Sequence, residues 1–67
     1  MGMSMIEAFQ KDPRSWGKYS DEDLVAGWNL ACRLRNDGII SEYVTLRIHS
    51  RYWGKIVEAA NRLSSIG

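Results

Sequence analysis

The chain has one cysteine, Cys32, and one histidine, His49, and these two side chains are the first candidates for covalent chemistry. A thiolate beside an imidazole forms the nucleophile pair of cysteine-dependent enzymes. Cys32, however, shares one apolar helical face with Leu24, Val25 and Trp28, where a thiol normally packs as a small hydrophobic group. His49 has no acidic partner at a recognisable spacing. We therefore predict that the protein is not an enzyme.

The sequence does not indicate a metal or cofactor site either. One cysteine and one histidine cannot supply the four ligands of a structural zinc site. The acidic run at residues 21–23 is consecutive, whereas a calcium loop spreads its ligands over about twelve residues around a glycine turn. A glycine-rich phosphate loop is also missing from the sequence. We expect no metal ion and no cofactor.

A group of basic and aromatic side chains near the C-terminus is typical of protein-binding surfaces. Its members are Arg47, Arg51, Tyr52, Lys55 and Arg62. Three of them are spaced four residues apart and would form a row on a helix, although like charges at this spacing repel mildly. Arg and Tyr are enriched at the energetic centres of interfaces. We predict that these residues bind another protein of acidic character.

Charge and hydropathy restrict the classes of partner. The net charge is only +1, with −2 over residues 1–23 and +3 over residues 24–67, so nucleic acid is the less favoured partner. The sequence has no apolar run near the ~20 residues of a membrane span and no basic-then-apolar secretory signal at its start. A lone reduced thiol fits the cytoplasm. We expect a cytoplasmic protein, and its small size suggests a phage or mobile-element origin.

Cap signals divide the chain into elements. Ser20 and the acids after it open a helix over residues 20–36, and Gly38 suits a left-handed cap at its end. A second helix is predicted over residues 41–63. We interpret the chain as a single small domain, 1–67, in which 1–18 is an N-terminal helical arm and 19–67 the helical core. The fold class is all-α, a small helical hairpin.

Four residues carry expectations about packing. Trp16 is predicted to anchor the N-terminal arm to the core. Gly27, inside the first long helix, is predicted to allow another helix to approach closely. Trp53 is expected at the middle of the apolar face of the last helix, with Tyr52 at its flank.

Because a core this small is marginal, self-association into a homodimer is a further expectation.

Residues 42–49, EYVTLRIH, are compatible with two structures. As a strand they alternate cleanly, with Val44, Leu46 and Ile48 on one face. A second strand-like segment is lacking, so this strand would have to pair with another copy in a dimeric α+β fold. As a helix, residues 42–49 extend the helix that is predicted to follow them, and their apolar side chains lie on two sides of it. We favour the helical hairpin and keep the strand as the alternative.

The segment 44–53, VTLRIHSRYW, followed by an amphipathic helix, resembles the strand and first helix of ribbon-helix-helix DNA-binding domains. In that family a dimer pairs two strands, and alternate strand side chains enter the major groove. The resemblance implies a dimeric DNA-binding protein with base contacts from Thr45, Arg47 and His49, and Arg reads guanine well.

The segment 18–22, KYSDE, is similar to the Lys-x-Ser-Asp-Glu-type cap of small helical-hairpin inhibitors such as the sporulation antikinase proteins. That similarity implies a helix–turn–helix plan and binding to another protein. Our preferred interpretation is therefore a small non-enzymatic regulator, an inhibitor or adaptor, that acts by protein–protein binding.

Overall fold

The computed structural model describes residues 4–66 and is all-α over that range, which confirms the predicted fold class. Helix α1 spans Met5–Lys11, a short 3₁₀ turn spans Ser15–Lys18, α2 spans Asp21–Asn36 and α3 spans Glu42–Ile66. Within these described residues, none of the helices combines the length and the apolar character that a bilayer crossing requires.

Serine side chains cap the first two helices. The Ser4 hydroxyl accepts a hydrogen bond from the Glu7 amide at 3.2 Å, and the Ser20 hydroxyl accepts one from the Asp23 amide at 3.3 Å. Each bond satisfies an amide that has no partner inside its own helix. The predicted cap at Ser20 is confirmed, so α2 begins where the sequence indicates.

Gly38 ends α2 in the left-handed conformation, with φ of 75°. Its amide donates to the Arg35 carbonyl at 3.0 Å, and the Ile39 amide donates to the Leu34 carbonyl at 2.9 Å. This pair of bonds is the Schellman motif, which satisfies two carbonyls at the helix end. The turn reverses the chain within residues 37–41, so α3 packs against α2 in the opposite direction.

One core joins α1, the 3₁₀ turn, α2 and α3. Its buried apolar side chains are Ile6, Phe9, Trp16, Leu24, Ala31, Val44, Ile48, Tyr52, Ile56 and Ala59. The α3 members recur every three or four residues, which places them along one side of the helix. The N-terminal segment and α3 therefore contribute to the same interior.

Three aromatic rings form the centre of this core. Trp16 stacks on Tyr52 with centroids 5.8 Å apart, and Phe9 packs edge-on against both rings, at 5.8 and 6.3 Å. The Trp16 indole N–H donates to the Met5 carbonyl at 2.9 Å, and the Tyr52 hydroxyl donates to the Pro13 carbonyl. The predicted anchoring role of Trp16 is confirmed, since its side chain is fully buried.

At Gly27, side chains from α1 and the 3₁₀ turn lie directly against α2. A Cβ built on Gly27 would lie 2.6 Å from Cε of Met5 and 3.2 Å from the ring edge of Trp16. The predicted close approach is thus confirmed, and the neighbouring helix is α1. The helix-propensity cost of a mid-helix glycine is offset by this packing.

The strand alternative for residues 42–49 is wrong, because this segment is the first two turns of α3. Val44 and Ile48 are buried against the rest of the core. Thr45 is also buried, and its hydroxyl donates to the Glu42 carbonyl at 2.8 Å within the same helix. A β-branched polar residue is therefore accommodated on the core side without an unpaired hydroxyl.

The expected orientation of α3 is also corrected. Trp53 is 43% exposed, whereas Tyr52 is 4% exposed and occupies the centre of the core. Each residue turns a helix by about 100°, so the burial of Tyr52 moves Trp53 to the edge. The physical reason lies outside α3, because the Tyr52 ring and hydroxyl are held by Trp16 and Pro13.

Candidate protein-binding surface on the third helix

Three cationic side chains follow one another on the outer side of α3. Arg47, Arg51 and Lys55 are exposed and lie one helical turn apart. Steps of four residues rise about 6 Å, so the three charges extend over roughly 12 Å along the helix. We call Arg47, Arg51 and Lys55 the basic row.

The basic row rests on the aromatic centre of the protein. The guanidinium carbon of Arg47 lies 5.6 Å from the centroid of the Phe9 ring and 5.7 Å from that of Tyr43. The guanidinium carbon of Arg51 lies 5.8 Å from the centroid of Tyr52. Contacts of this kind stabilise a cation by about 0.5–1 kcal/mol at exposed sites. The rings thus restrict where these two guanidinium groups lie.

Lys55 extends the row towards the 3₁₀ turn. A Cβ added to Gly17 would meet the Lys55 Nζ at 4.0 Å, so the ammonium lies beside that turn. The basic row therefore follows the seam between α3 and the N-terminal segment.

The basic row has no acidic partner among the described residues. Ion pairs within 4.0 Å in this part of the chain involve Arg14 with Asp12, and Arg62 with Asp21 and Glu58. Repulsion between like charges at this spacing costs a few tenths of a kcal/mol. That cost is not offset by any carboxylate of residues 4–65, and an anionic ligand would offset it.

Arg62, which was predicted to belong to the same surface, is exposed and also links two helices. Its guanidinium donates to both carboxylate oxygens of Asp21, at 2.6 and 2.8 Å. These bonds hold the pKa of the Asp21 carboxyl below its usual range and raise that of Arg62. The pair connects the last turns of α3 to the first turn of α2.

Two other predicted site residues face the interior. Tyr52 belongs to the aromatic centre, and its hydroxyl is engaged by the Pro13 carbonyl. Thr45, the residue expected to reach a DNA base, is 1% exposed and bonds to its own helix. Arg47 and His49 remain on the surface. The ribbon of two paired strands, on which those DNA contacts depend, is absent from the helical segment 42–49.

His49 takes part in a second aromatic group with Trp28 and Trp53. Its ring stacks on Trp53 with centroids 4.7 Å apart and an interplanar angle of 20°. Trp28 of α2 packs edge-on against Trp53 at 5.7 Å and lies 6.0 Å from His49. The Trp53 ring is thus held by two neighbours while 43% of its surface stays accessible.

A row of exposed apolar side chains on α3 was not recognised from the sequence. Tyr43 is 66% exposed, Leu46 60% and Trp53 43%. We call these three residues, with Ser50, Val57 and Ala60 that continue their spacing, the outer row. The alternating steps of three and four in this series are a heptad pattern. That spacing was the available signal, and it was obscured because the core residues of α3 are interleaved with it.

The described residues form no metal-binding cluster. Within the described range, no three His, Cys, Asp or Glu side chains are grouped so that they could hold an ion. Cys32 is half-buried. Searches with this chain find no matching protein-family model, and neither a curated protein nor a solved structure with significant similarity.

Proposed function

We propose that this protein is a small non-enzymatic regulator, an inhibitor or adaptor, which binds an acidic segment of another protein through its basic row. The observation that carries this proposal is the set of three successive exposed cations with no carboxylate within 4.0 Å in residues 4–65. The packed helical hairpin of α2 and α3, with its N-terminal arm, serves as the scaffold.

The spacing of the basic row defines the ligand it fits. Successive charges about 6 Å apart match carboxylates four residues apart on a helix, and also alternate residues of an extended strand. Two of the three cations are guanidinium groups, which bind carboxylates through two parallel hydrogen bonds. Because Arg47 and Arg51 already pack on aromatic rings, less side-chain entropy is lost when they bind.

The proposal includes a cytoplasmic setting, because a reducing compartment keeps a lone thiol such as Cys32 reduced. Electrostatic recognition of this kind gives fast association and strong dependence on salt. We therefore expect the affinity for the acidic segment to fall as the salt concentration is raised.

The test is a binding titration with a defined probe, a glutamate-rich helical peptide with carboxylates every four residues. The variant replaces Arg47, Arg51 and Lys55 by glutamine, and a control variant replaces the exposed cations Lys11, Lys18 and Arg33 by glutamine. Each variant lowers the net charge of +1 by three, to −2. We expect the first variant to bind at least about tenfold more weakly than wild type, and the control to change little.

Two results would contradict the proposal. Equal losses in the two variants would show that binding depends on overall charge and not on the basic row. Preferential binding of duplex DNA over the peptide, with a steep salt dependence that the first variant abolishes, would identify the ligand as nucleic acid. A pull-down from host lysate with the same three proteins as baits then identifies the natural partner.

A further inference from the structure

We infer that the outer row of α3 is a self-association surface, on which α3 of a second copy of this chain packs in antiparallel orientation. The outer row contains none of the basic-row residues, although Arg47 lies at its flank. It begins from the exposure of Tyr43, Leu46 and Trp53, which together leave large apolar surface uncovered on one helix.

The heptad spacing of the outer row restricts the kind of partner. Apolar positions that alternate by three and four residues face a second helix along their whole length. The outer row runs from Tyr43 to Ala60, which corresponds to about 26 Å of helix. A long helix is therefore the shape that fits, and α3 itself is the long helix that the described chain offers.

The sizes of the side chains make the outer row complementary to itself. In an antiparallel pair centred between residues 51 and 52, Trp53 faces Ser50 of the second copy. Leu46 then faces Val57, and Tyr43 faces Ala60. Every large side chain meets a small or medium one, as close packing between helices requires. A parallel pair would place Trp53 against Trp53 and Ser50 against Ser50, which leaves one layer overfilled and another nearly empty.

Charge favours the same arrangement. Arg47 and Glu58 lie on the same flank of the outer row, and the antiparallel pairing brings Arg47 within side-chain reach of Glu58 in the second copy. Within the described chain, Arg47 has no carboxylate within 4.0 Å, and Glu58 reaches only Arg62, at 4.0 Å. The symmetric pair forms twice in the dimer, at the rim of the contact, where such pairs set orientation more than affinity.

Trp53 is prepared for this contact before the second copy arrives. Its ring is fixed between His49 and Trp28, so its orientation needs little ordering on binding. Half-exposed aromatic rings of this kind contribute roughly 100 Å² each to an interface. Two copies together bury on the order of 1,000 Å², the lower limit of specific interfaces. We expect a dimer that dissociates on dilution.

Sedimentation equilibrium at protein concentrations from about 10 μM to about 1 mM measures the monomer–dimer equilibrium directly. We expect the dimer to dissociate within this concentration range. Leu46→Glu places a charge opposite Val57 of the second copy, so we expect a folded monomer throughout the range. Ala26→Glu adds the same charge to the exposed outer side of α2, and we expect it to dimerise like wild type. Circular dichroism confirms that both variants keep their helices.

Spin labels test the orientation. Gly54 is exposed with open space around an added Cβ, and Asn61 is exposed on the same helix. Each is replaced by cysteine in a Cys32→Ala background. The antiparallel pairing offsets the two Gly54 positions by about 8 Å along the helices and the two Asn61 positions by about 28 Å. We therefore expect a short distance between the labels at the two Gly54 positions and a long distance between the labels at the two Asn61 positions.

Several outcomes would overturn the inference. A monomer mass of the wild type over the whole concentration range would show that the outer row does not bind a second copy. A dimer that survives Leu46→Glu would use another face. Short distances for both spin-label pairs would indicate a parallel arrangement, and long distances for both would exclude α3 as the contact.

Discussion

Asp21 at the start of α2 and Arg62 in the last turns of α3 are joined by two parallel hydrogen bonds, 2.6 and 2.8 Å long. The two residues are 41 positions apart in sequence, so the bonds close the helix pair at the end opposite its connecting turn. A carboxylate at a helix N-terminus also interacts favourably with the helix dipole. Asp21 therefore both links α2 to α3 and interacts favourably with the dipole of α2.

The first prediction concerns acid stability. Arg62 lowers the pKa of Asp21 in the folded protein. A carboxyl whose pKa falls on folding stabilises the native state above its unfolded pKa, about 3.9, and this contribution is lost as the pH falls through the lower folded value. We expect Asp21→Asn to be less stable than wild type at neutral pH and to approach it in acid.

Urea unfolding from neutral pH into acid measures the difference in unfolding free energy between Asp21→Asn and wild type. Glu22→Gln is the matched control, because it removes a neighbouring carboxyl of the same helical turn that has no ion pair within 4.0 Å among the described residues. A pH-independent difference between Asp21→Asn and wild type would contradict the assigned role of Arg62.

The second prediction separates two tryptophans. Trp16 is fully buried among Phe9 and Tyr52, and its removal leaves a large cavity. Trp16→Ala should cost about 3–5 kcal/mol, which approaches the whole stability of so small a domain. We expect the circular dichroism spectrum of this variant to show loss of helix at room temperature. Trp53→Ala removes a half-exposed ring and should cost about 1 kcal/mol in urea unfolding. Similar losses in both variants would contradict the core described above.

The third prediction compares two glycines on the same protein. Gly38 has a positive φ, which costs a residue with a Cβ about 1–2 kcal/mol, so Gly38→Ala should destabilise the protein. Gly54 lies inside α3 with open space around an added Cβ, so Gly54→Ala should stabilise by about 0.5–1 kcal/mol. Thermal unfolding should therefore shift in opposite directions. A neutral or stabilising Gly38→Ala would be inconsistent with the Schellman turn at Gly38, and a destabilising Gly54→Ala would contradict the open space around Gly54.

The fourth prediction tests the close approach at Gly27. An alanine Cβ there meets the flexible end of Met5, which can rotate away, and helix propensity improves. We expect Gly27→Ala to change the unfolding free energy by less than about 1 kcal/mol, because the two effects oppose one another. Gly27→Leu would also displace Trp16 and should cost about 1–3 kcal/mol or more. A neutral Gly27→Leu would show that α1 does not pack there in solution.

Local signals predicted much of the fold. The caps at Ser20 and Gly38 and the anchor Trp16 were recognisable because each depends on a residue type and its near neighbours. The orientation of α3 was not predictable, because it is decided by contacts of Tyr52 with Pro13 and Trp16, which are distant in sequence.

The surface was predictable to a similar extent. Arg47, Arg51 and Lys55 form an exposed row because charges every four residues on a helix must share a side. Arg62, seven residues after Lys55, falls on the same side of α3, yet it pairs with Asp21 across the helices, and pairing between distant residues leaves no periodic signal. The outer row was hidden for a related reason, since a helix with apolar side chains on two sides has no single clear periodicity.

The hydrogen bond from the Tyr52 hydroxyl to the Pro13 carbonyl spans 39 positions of sequence. Ribosomes deliver the N-terminus of a chain first. Phe9 and Trp16 therefore emerge long before the ring that covers them has been synthesised. The tertiary structure of this core therefore has to wait until Tyr52 and most of α3 have left the ribosome.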